Sequence, residues 1–442
     1  MNDSIASTAR DIVQRLQTAG FSAFWVGGCV RDFLLERAPK DYDIATSARP
    51  ADMERLFKRT IPVGRQFGVL VVIEKGVQFQ LATFRAEADY QDGRHPETVV
   101  FANAEADALR RDFTVNGLFY DPIAGQFHDW VGGQADLQAR IISTIGRPEE
   151  RFAEDHLRLL RAVRFAAQLN FAIDPTTLAA IRVLAPKING VSAERIREEL
   201  VKLFTAPHAA RGLVLLRESG LLEPVLPELA ATVDCGQSPD YHPEGSVFEH
   251  IRVMLEQLPA DAPESLAWAV ILHDIGKPPT ARTDPATGSI HFYGHEKVGA
   301  ETAQAILQRL RFPKKQIAEI TACVLHHMQF KDVRQMRKAT LRRMLMRETF
   351  PLELELHRLD CVGSHGLLDH FDFMREQQAD LAQKPELHPP LLNGHDLMAL
   401  GVKPGVTLGA LLQEIRERQL QGELAGAEEA REWVKQSIKA KD

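Results

Sequence analysis

The amino-acid sequence predicts an α+β chain, in which a small region of strands and helices is followed by a long helical part. In the first part, short apolar runs alternate with glycine turns. Predicted strands at residues 69–73 and 77–84 flank Lys75 and Gly76, which is the pattern of a hairpin. From about Arg147 onward, the chain reads as almost wholly helical.

The predicted elements follow one another in a simple order. Apolar residues at helical spacing predict a helix over residues 4–19, and Gly20 follows it as a stop signal. A strand, a glycine turn and the start of a helix are predicted over residues 24–32, followed by a strand that carries two aspartates. Pro50 begins a short helix that extends to Phe57. Residues 85–96 form a polar loop, too charged to be buried and long enough to move.

The composition is that of a soluble globular protein. The 442 residues are 45% hydrophobic and 26% charged, and the length suggests about three domains. No apolar run approaches the roughly 18 residues of a transmembrane helix, and the N-terminus reads as an amphipathic helix rather than a signal peptide. The four cysteines contain no C-x-x-C pair, so we expect reduced thiols and a cytoplasmic location. Because the net charge is −7, nucleic-acid binding would need a local basic surface.

Asp41 and Asp43 form the first candidate site. In a strand these two side chains point to the same face, while Tyr42 points to the other. Two neighbouring carboxylates repel each other unless a cation lies between them, and hard oxygen ligands suit Mg²⁺. The alternative is a solvated strand end without a metal.

A glycine turn precedes this pair in the sequence GGCVRD at residues 27–32. The backbone N–H groups of such a turn, together with a helix N-terminus, bind phosphate, and Arg31 lies one turn later. A phosphate site beside a carboxylate pair indicates a nucleoside triphosphate. The spacing is neither that of a P-loop nor G-x-G-x-x-G, and a glycine turn made only for packing remains the alternative.

Arginines in two later segments add candidate contacts. Arg110 and Arg111 can clamp phosphates, or they can simply mark a charged helix entry. A helix is predicted to begin at Glu154, with Asp155 and Arg158 one turn apart. A carboxylate and a guanidinium match the amino group and ring nitrogen shared by cytosine and adenine, and they would reject guanine and uracil. The alternative is a salt-bridged surface helix.

Five motifs in this order resemble those of the bacterial class II tRNA nucleotidyltransferases. They are GGCVRD at 27–32, DYDIAT at 41–46, the loop at 85–96, RRDFTVNG at 110–117 and EDHLR at 154–158. The family includes CCA-adding enzymes, enzymes that add only CC or only A, and bacterial poly(A) polymerases. The similarity covers residues 20–230.

The resemblance implies a small mixed-sheet, polymerase-β-like nucleotidyltransferase head at residues 1–146 and an extended all-α neck and body at residues 147–240. Asp41 and Asp43 would hold two Mg²⁺ ions for catalysis. The nucleotide-binding residues would be Gly28, Arg31 and Arg111 at the triphosphate, Asp155 and Arg158 at the base, and Arg161 and Arg164 in support. The chain departs from the family at Gln80, where the family often has Glu.

The second half contains an ordered set of histidines and aspartates that resembles an HD-superfamily metal phosphohydrolase domain at residues 245–375. Buried imidazoles and carboxylates need partners, and a divalent metal supplies one. The resemblance implies a basic site of His250, His273, Asp274 and Asp360 with a divalent transition metal, and a second metal at His295 and either His326 or His327. A C-terminal helical tail is expected at residues 385–442.

The predicted function is template-independent addition of CCA to the tRNA 3′ end from CTP and ATP, with a fused phosphohydrolase for 2′,3′-cyclic phosphates or phosphomonoesters. In the resembling family, CC-only enzymes are deficient in the 85–96 loop, so its presence here favours addition of A. A-only addition or poly(A) synthesis is the alternative within this class. An HD hydrolase whose N-terminal half delivers RNA is the alternative from another class. We expect no membrane contact and no obligatory protein partner.

Overall fold

The computed structural model describes residues 2–86, 101–238, 245–383 and 389–439. The chain divides into two compact units, Met1–Ala230 and Ala231–Asp442. The first unit contains the predicted head and residues 147–230 of the predicted neck and body. The second unit contains the remainder of that segment, the predicted HD region and the predicted tail. The four-part division proposed from the sequence stays a prediction. Most of the predicted loop at 85–96 lies outside the described residues.

The first unit combines a sheet with helices. Its strands are β1 (Ala23–Val26), β2 (Asp43–Thr46), β3 (Thr60–Gly64), β4 (Val69–Glu74), β5 (Val77–Thr83), β6 (Phe119–Asp121), β7 (Gln126–His128), β8 (Ile141–Ile142) and β9 (Ala172–Ile173). Its helices are α1 (Asn2–Thr18), α2 (Gly28–Leu34), α3 (Pro50–Leu56), α4 (Ala104–Leu109), α5 (Gly133–Ala139), α6 (Pro148–Glu154), α7 (Leu157–Leu169), α8 (Pro175–Leu184), α9 (Ala193–Phe204), α10 (Ala209–Glu218), α11 (Leu222–Val225) and α12 (Pro227–Ala230).

Within the described residues, seven of these strands form one mixed sheet in the order β3-β4-β5-β2-β1-β6-β7. Only β2 and β5 pair in parallel, and the other neighbours are antiparallel. The hairpin predicted around Lys75 and Gly76 joins β4 to β5, and both turn residues have positive φ, at 50° and 80°. Such a two-residue turn matches the twist of the flanking strands. The α+β class predicted from the sequence is confirmed.

One predicted element is wrong. The sequence reading placed Glu154 to Phe165 in a single helix, but α6 ends at Glu154 and α7 begins at Leu157. Asp155 lies between them with extended backbone, at φ −152° and ψ 105°. Its Oδ1 accepts a hydrogen bond from the N–H of Leu157, at 3.0 Å. The side chain thus satisfies an N–H group at the start of α7, as an N-cap does.

The helical part of the first unit is built around α7, which packs against α9 and α10. The apolar face of α7 is buried. Gly212 on α10 allows a close approach to α9, because a Cβ at this position would lie 2.5 Å from a methyl carbon of Leu203. The arginines of α7 each reach an acidic residue: Arg158 reaches Glu154 at the end of α6, Arg161 reaches Asp112 after α4, and Arg164 reaches Glu199 on α9.

The second unit is almost entirely helical. Its elements are α13 (Val247–Glu256), α14 (Glu264–Leu272), α15 (Lys277–Thr280), β10 (Arg282–Thr283), β11 (Ile290–His291), α16 (His295–Arg309), α17 (Lys314–His326), α18 (Lys338–Leu345), α19 (Phe350–Gly363), α20 (Asp369–Ala382), α21 (Gly394–Ala399), α22 (Val406–Gln421) and α23 (Ala427–Lys439). Helix α14 is the centre of the core, in contact with α13, α17 and α19. Within the described residues, no helix is long and apolar enough to span a membrane.

Candidate functional site

The carboxylates of Asp41 and Asp43 are exposed, while Tyr42 between them is buried against Trp25, with ring centroids 4.7 Å apart. Strand β2 begins at Asp43, so Asp41 lies just before the strand rather than within it. The alternation of exposure still matches the predicted shared face. Neighbouring protein atoms that displace water, and then the negative charge of Asp41, raise the pKa of Asp43 to about 6, although Arg111 opposes this. A divalent cation would relieve the repulsion between two such carboxylates.

Gln80 lies beside this pair. Strand β5 runs parallel to β2, with Ile44 opposite Leu81, so the residue before each of these is also adjacent across the sheet. Gln80 is therefore the neighbour of Asp43, and its side chain is exposed as well. The protein presents a neutral amide at this position, and the acidic face consists of two carboxylates.

The glycine turn joins β1 to α2. Gly27 has φ 70°, and a Cβ added there would lie 3.1 Å from Nη1 of Arg111. Arg31 projects from α2, donating through Nε and Nη2 to Asp32 and through Nη1 to Oδ1 of Asn116, at 2.8 Å. Arg111 donates to the backbone oxygen of Asn116 at 3.3 Å. The turn and both predicted phosphate-binding arginines are thus brought together around one residue, Asn116.

Asp112 is a site residue that the sequence reading missed. Its Oδ2 accepts hydrogen bonds from Nε and Nη2 of Arg161, at 2.8 and 2.5 Å, and its Oδ1 accepts one from Nδ2 of Asn116, at 3.2 Å. Burial alone raises the pKa of this carboxyl, but the Arg161 guanidinium and the hydrogen bonds lower it to about 2. Because Asn116 in turn accepts from Arg31, a chain of polar contacts connects α7 to the glycine turn.

Asp155 and Arg158 are not paired with each other. Arg195 donates to both oxygens of Asp155, at 3.2 and 2.6 Å. Arg158 donates through Nη1 to Glu154 and to the backbone oxygen of Arg151. Both side chains lie at the junction of α6 and α7, so the structure brings them to one place. The orienting role of Arg195, forty positions away from Asp155, gave no local signal in the sequence.

The other two arginines of α7 are held by acidic residues. Nε of Arg164 donates to Oε2 of the buried Glu199 on α9, at 2.5 Å. The Arg164 guanidinium also lies 3.9 Å from the centroid of the Phe165 ring. Burial lowers the pKa of Arg164, and Glu199 opposes that shift. Arg161, by contrast, reaches Asp112, so it is the arginine of this pair that belongs to the polar chain leading to Arg31.

In the second unit, five side chains converge on one point. His250, His273 and Asp274 offer ligand atoms within 4.8 Å of one another, and so do Asp274, His295 and His327. Asp274 belongs to both groups, as a bridging carboxylate would. Oδ1 of Asp360 lies 3.0 Å from Nε2 of His250. His326 faces Glu353 instead, at 3.2 Å, so His327 is the histidine of this pair that joins the cluster.

The hydrogen bonds of the histidines fit a metal. Nδ1 of His273, His295 and His327 lies 2.9, 2.8 and 2.6 Å from a backbone oxygen three residues earlier. A carbonyl can only accept, so each Nδ1 carries a proton, and Nε2 of each ring is the nitrogen that faces the cluster. Nε2 of His295 and Nε2 of His327 are only 3.1 Å apart. Two ring nitrogens at this distance need either a proton or a metal cation between them.

Lys277 and Gln237 complete this cluster, and the sequence reading missed both. Nζ of the buried Lys277 lies 2.7 Å from Oδ2 of Asp274 and 2.5 Å from Oε1 of Gln237. Burial alone raises the pKa of Asp274, but His273 and Lys277 hold it well below its usual value. Asp274 is therefore ionised at neutral pH, as a metal ligand must be.

Comparisons with known proteins match the same regions. Residues 23–143 match the poly A polymerase head domain, residues 170–232 a probable RNA and SrmB-binding site of polymerase A, and residues 244–358 the HD domain. The CCA-adding enzyme of Levilactobacillus brevis is 32% identical over 94% of this chain and 94% of its own length. The A-adding tRNA nucleotidyltransferase of Deinococcus radiodurans is 35% identical over 92% of this chain and 94% of its own length.

Other relatives match over a shorter region. The CCA-adding enzyme of Geobacillus kaustophilus is 45% identical over 51% of this chain, and the match spans only 55% of that relative's length. A solved structure, that of the Bacillus stearothermophilus CCA-adding enzyme in complex with CTP, superposes with a TM-score of 0.76 at 28% identity, covering 98% of this chain and 97% of the other.

Proposed function

The chain belongs to the tRNA nucleotidyltransferase family, and we propose that it adds C, C and A to the 3′ end of tRNA from CTP and ATP. The observation that carries this proposal is the arrangement of the first unit, where a glycine turn and two arginines meet beside Asn116. One of these arginines, Arg111, also acts electrostatically on Asp43 of the carboxylate pair. Relatives that cover nearly the whole chain are a CCA-adding and an A-adding enzyme. Addition of A alone is the second candidate, favoured by the slightly higher identity to the A-adding relative.

Each part of the head then has a definite task. Asp41 and Asp43 would hold the Mg²⁺ ions, and such ions would supply activation of the primer 3′-hydroxyl and neutralisation of charge on the reacting phosphates. The turn before α2 offers backbone N–H groups to the triphosphate, and Arg31 and Arg111 add charged donors. Asn116 holds both arginines in place, because its two oxygens accept a hydrogen bond from each.

Base selection follows from hydrogen-bond capacity. A carboxylate has about four acceptor sites, and Asp155 uses three of them for Arg195 and the N–H of Leu157. One site remains for the amino group of cytosine or adenine. Arg158 supplies a donor for the ring nitrogen. Guanine and uracil carry a carbonyl where Asp155 expects a donor, so they would leave polar groups unpaired.

A direct test of the head replaces Asp43 with asparagine. We expect no addition of C or A to tRNA by Asp43→Asn, because one of two metal-binding carboxylates has lost its charge. Glu54→Gln, which makes the same acid-to-amide change on the exposed surface of the head, is the matched control and should remain active. Addition at the wild-type rate by Asp43→Asn would remove this residue from catalysis.

For the second unit, we propose a metal-dependent phosphohydrolase that acts on RNA-end phosphates. The facing Nε2 atoms of His295 and His327 and the shared Asp274 support a two-metal site. Bound divalent ions would supply a hydroxide nucleophile and polarise the phosphate. Lys277 pairs with Asp274, and its ammonium would be a donor for a phosphate oxygen bound at this site.

The test of this unit measures metal content and hydrolysis together. Purified wild-type protein is expected to hold a divalent transition metal and to hydrolyse 2′,3′-cyclic nucleotides. Asp274→Asn should lose both properties and still add nucleotides to tRNA. Suppose that the wild-type protein hydrolyses these substrates but adds no nucleotide to tRNA, and that Asp43→Asn has the same properties as the wild type. The protein would then be a hydrolase whose first half delivers RNA.

A further inference from the structure

A stacked aromatic pair, of which Tyr293 is the exposed member, lies directly before the histidine–aspartate cluster of the second unit. Tyr293 is 79% exposed, and its ring stacks on that of His291, with centroids 5.4 Å apart and planes 18° apart. A single exposed aromatic residue needs no explanation. A stacked pair at the end of a hairpin that leads into a candidate metal centre, by contrast, indicates a binding surface.

Two contacts connect this pair to the cluster. The carbonyl of Phe292 lies 2.8 Å from Nδ1 of His295 and so orients that ring. The side-chain ring of Phe292 lies near Lys277, whose Nζ is 5.6 Å from the ring centroid and 2.7 Å from Oδ2 of Asp274. Tyr293 is the next residue, two positions before His295, so the Cα atoms of these two residues are at most about 7 Å apart.

We propose that Tyr293, supported by His291, stacks on the nucleobase of the nucleotide or RNA end whose phosphate binds at the His/Asp cluster. Every nucleobase has a π-face, so stacking on an aromatic ring recognises a base without selecting its identity. The hairpin adds a positive charge, because Arg282 is exposed and pairs in register with His291. Phosphate at the cluster, base on Tyr293 and a neighbouring phosphate near Arg282 describe a nucleotide-sized ligand.

This inference rests on the proposed hydrolase and makes it more specific. A hydrolase that reads only the phosphate would act equally on a cyclic phosphate with or without a base. A hydrolase with a stacking surface prefers the nucleotide. Truncating an aromatic ring that stacks on a base weakens recognition by about 5- to 150-fold. Tyr293 would thus determine which phosphate esters this unit accepts.

The experiment compares uridine 2′,3′-cyclic phosphate with glycerol 1,2-cyclic phosphate as substrates of the full-length, metal-loaded protein. Uridine is chosen because the proposed head selects against uracil. The variants are Tyr293→Ala and Tyr293→Phe, with Thr283→Ala as a control on the exposed surface of the same hairpin. Binding of uridine 2′-phosphate is measured by calorimetry in parallel, so that the result does not depend on turnover.

We expect Tyr293→Ala to lower the ratio of uridine to glycerol hydrolysis, and the affinity for uridine 2′-phosphate, by about 5- to 150-fold. Tyr293→Phe should keep both the hydrolysis ratio and the affinity at the wild-type level, and Thr283→Ala should change neither quantity. An equal loss on both substrates would mean that Tyr293 only supports the fold, and would overturn the inference. So would a wild-type enzyme without preference for uridine.

If the protein hydrolyses neither substrate, the hydrolase proposal fails and the binding measurement decides alone. Uridine 2′-phosphate binding that depends on Tyr293 would then support the stacking surface, and binding independent of Tyr293 would overturn it. A protein partner that docks on this hairpin would leave nucleotide binding unaffected by all three substitutions.

Discussion

Replacing Asp112 with asparagine should damage the first unit and its nucleotide site together. The carboxyl is buried, and its partners lower its pKa from 3.8 to about 2. A difference of about two pKa units corresponds to about 2 to 3 kcal/mol in favour of the ionised form at neutral pH. Asp112→Asn removes this charge while retaining the size of the side chain. We therefore expect about 2 to 3 kcal/mol less stability in the elements that Asp112 connects.

Hydrogen exchange with mass spectrometry is the suitable assay, because it reports on the two units separately. A loss of about 2 to 3 kcal/mol speeds the exchange of amides that open globally by roughly 30- to 150-fold. Peptides from α7 should show this increase, and peptides from α14 in the second unit should not. The KM values for CTP and ATP should rise together, because Asp112 positions Arg161 directly and Arg31 through Asn116.

The matched control is Glu54→Gln, since Glu54 also accepts two hydrogen bonds from one arginine, Arg65, but on the exposed surface. Surface pairs contribute little to stability. The pH dependence gives a second check. The folded-state pKa of Asp112 is depressed, so its contribution is complete above about pH 4 and is lost as the pH falls toward 2. If Asp112→Asn exchanges no faster than Glu54→Gln and keeps wild-type KM values, the reasoning is refuted.

Two further predictions concern nucleotide selection. Arg195→Gln should raise the KM for CTP and ATP and weaken the rejection of UTP, because Asp155 loses the guanidinium that orients it. Initial-rate assays with each nucleotide measure this. Unchanged discrimination between nucleotides would mean that Asp155 does not read the base. Deleting residues 90–95 should suppress addition of A to tRNA ending in CC while largely retaining addition of C, and equal loss of both would exclude a role for this loop in the switch between bases.

The parts of the fold that local sequence determines were the ones predicted correctly. Lys75 and Gly76 form a tight turn in which both residues have positive φ. The turn and the two strands that it joins are all determined by residues close together in the sequence. Asp41 and Asp43 are exposed around a buried Tyr42, as the period of a strand requires. The order of histidines and aspartates in the second half likewise predicted side chains that lie close together, and the structure favours His327 over His326. Their role as metal ligands stays a prediction.

The residues that were missed act over long distances in the chain. Asp112 meets Arg161 across 49 positions, and Gln237 meets Lys277 across 40. No local periodicity records such a pairing. The incorrect helix at Glu154 has the same origin, since residues 154–165 have a helical pattern throughout. Tertiary contact with Arg195 and capping of Leu157 favour the extended backbone at Asp155 that separates α6 from α7.

The most direct test of the central claim is to follow nucleotide incorporation into a tRNA that lacks its terminal CCA. The purified protein and Mg²⁺ are given CTP alone, ATP alone, or both, and the products are resolved at single-nucleotide length. We predict two added residues with CTP, none with ATP and three with both. A protein that adds A to tRNA ending in CC but never adds C, or that extends the primer into a long A tail, would contradict the account.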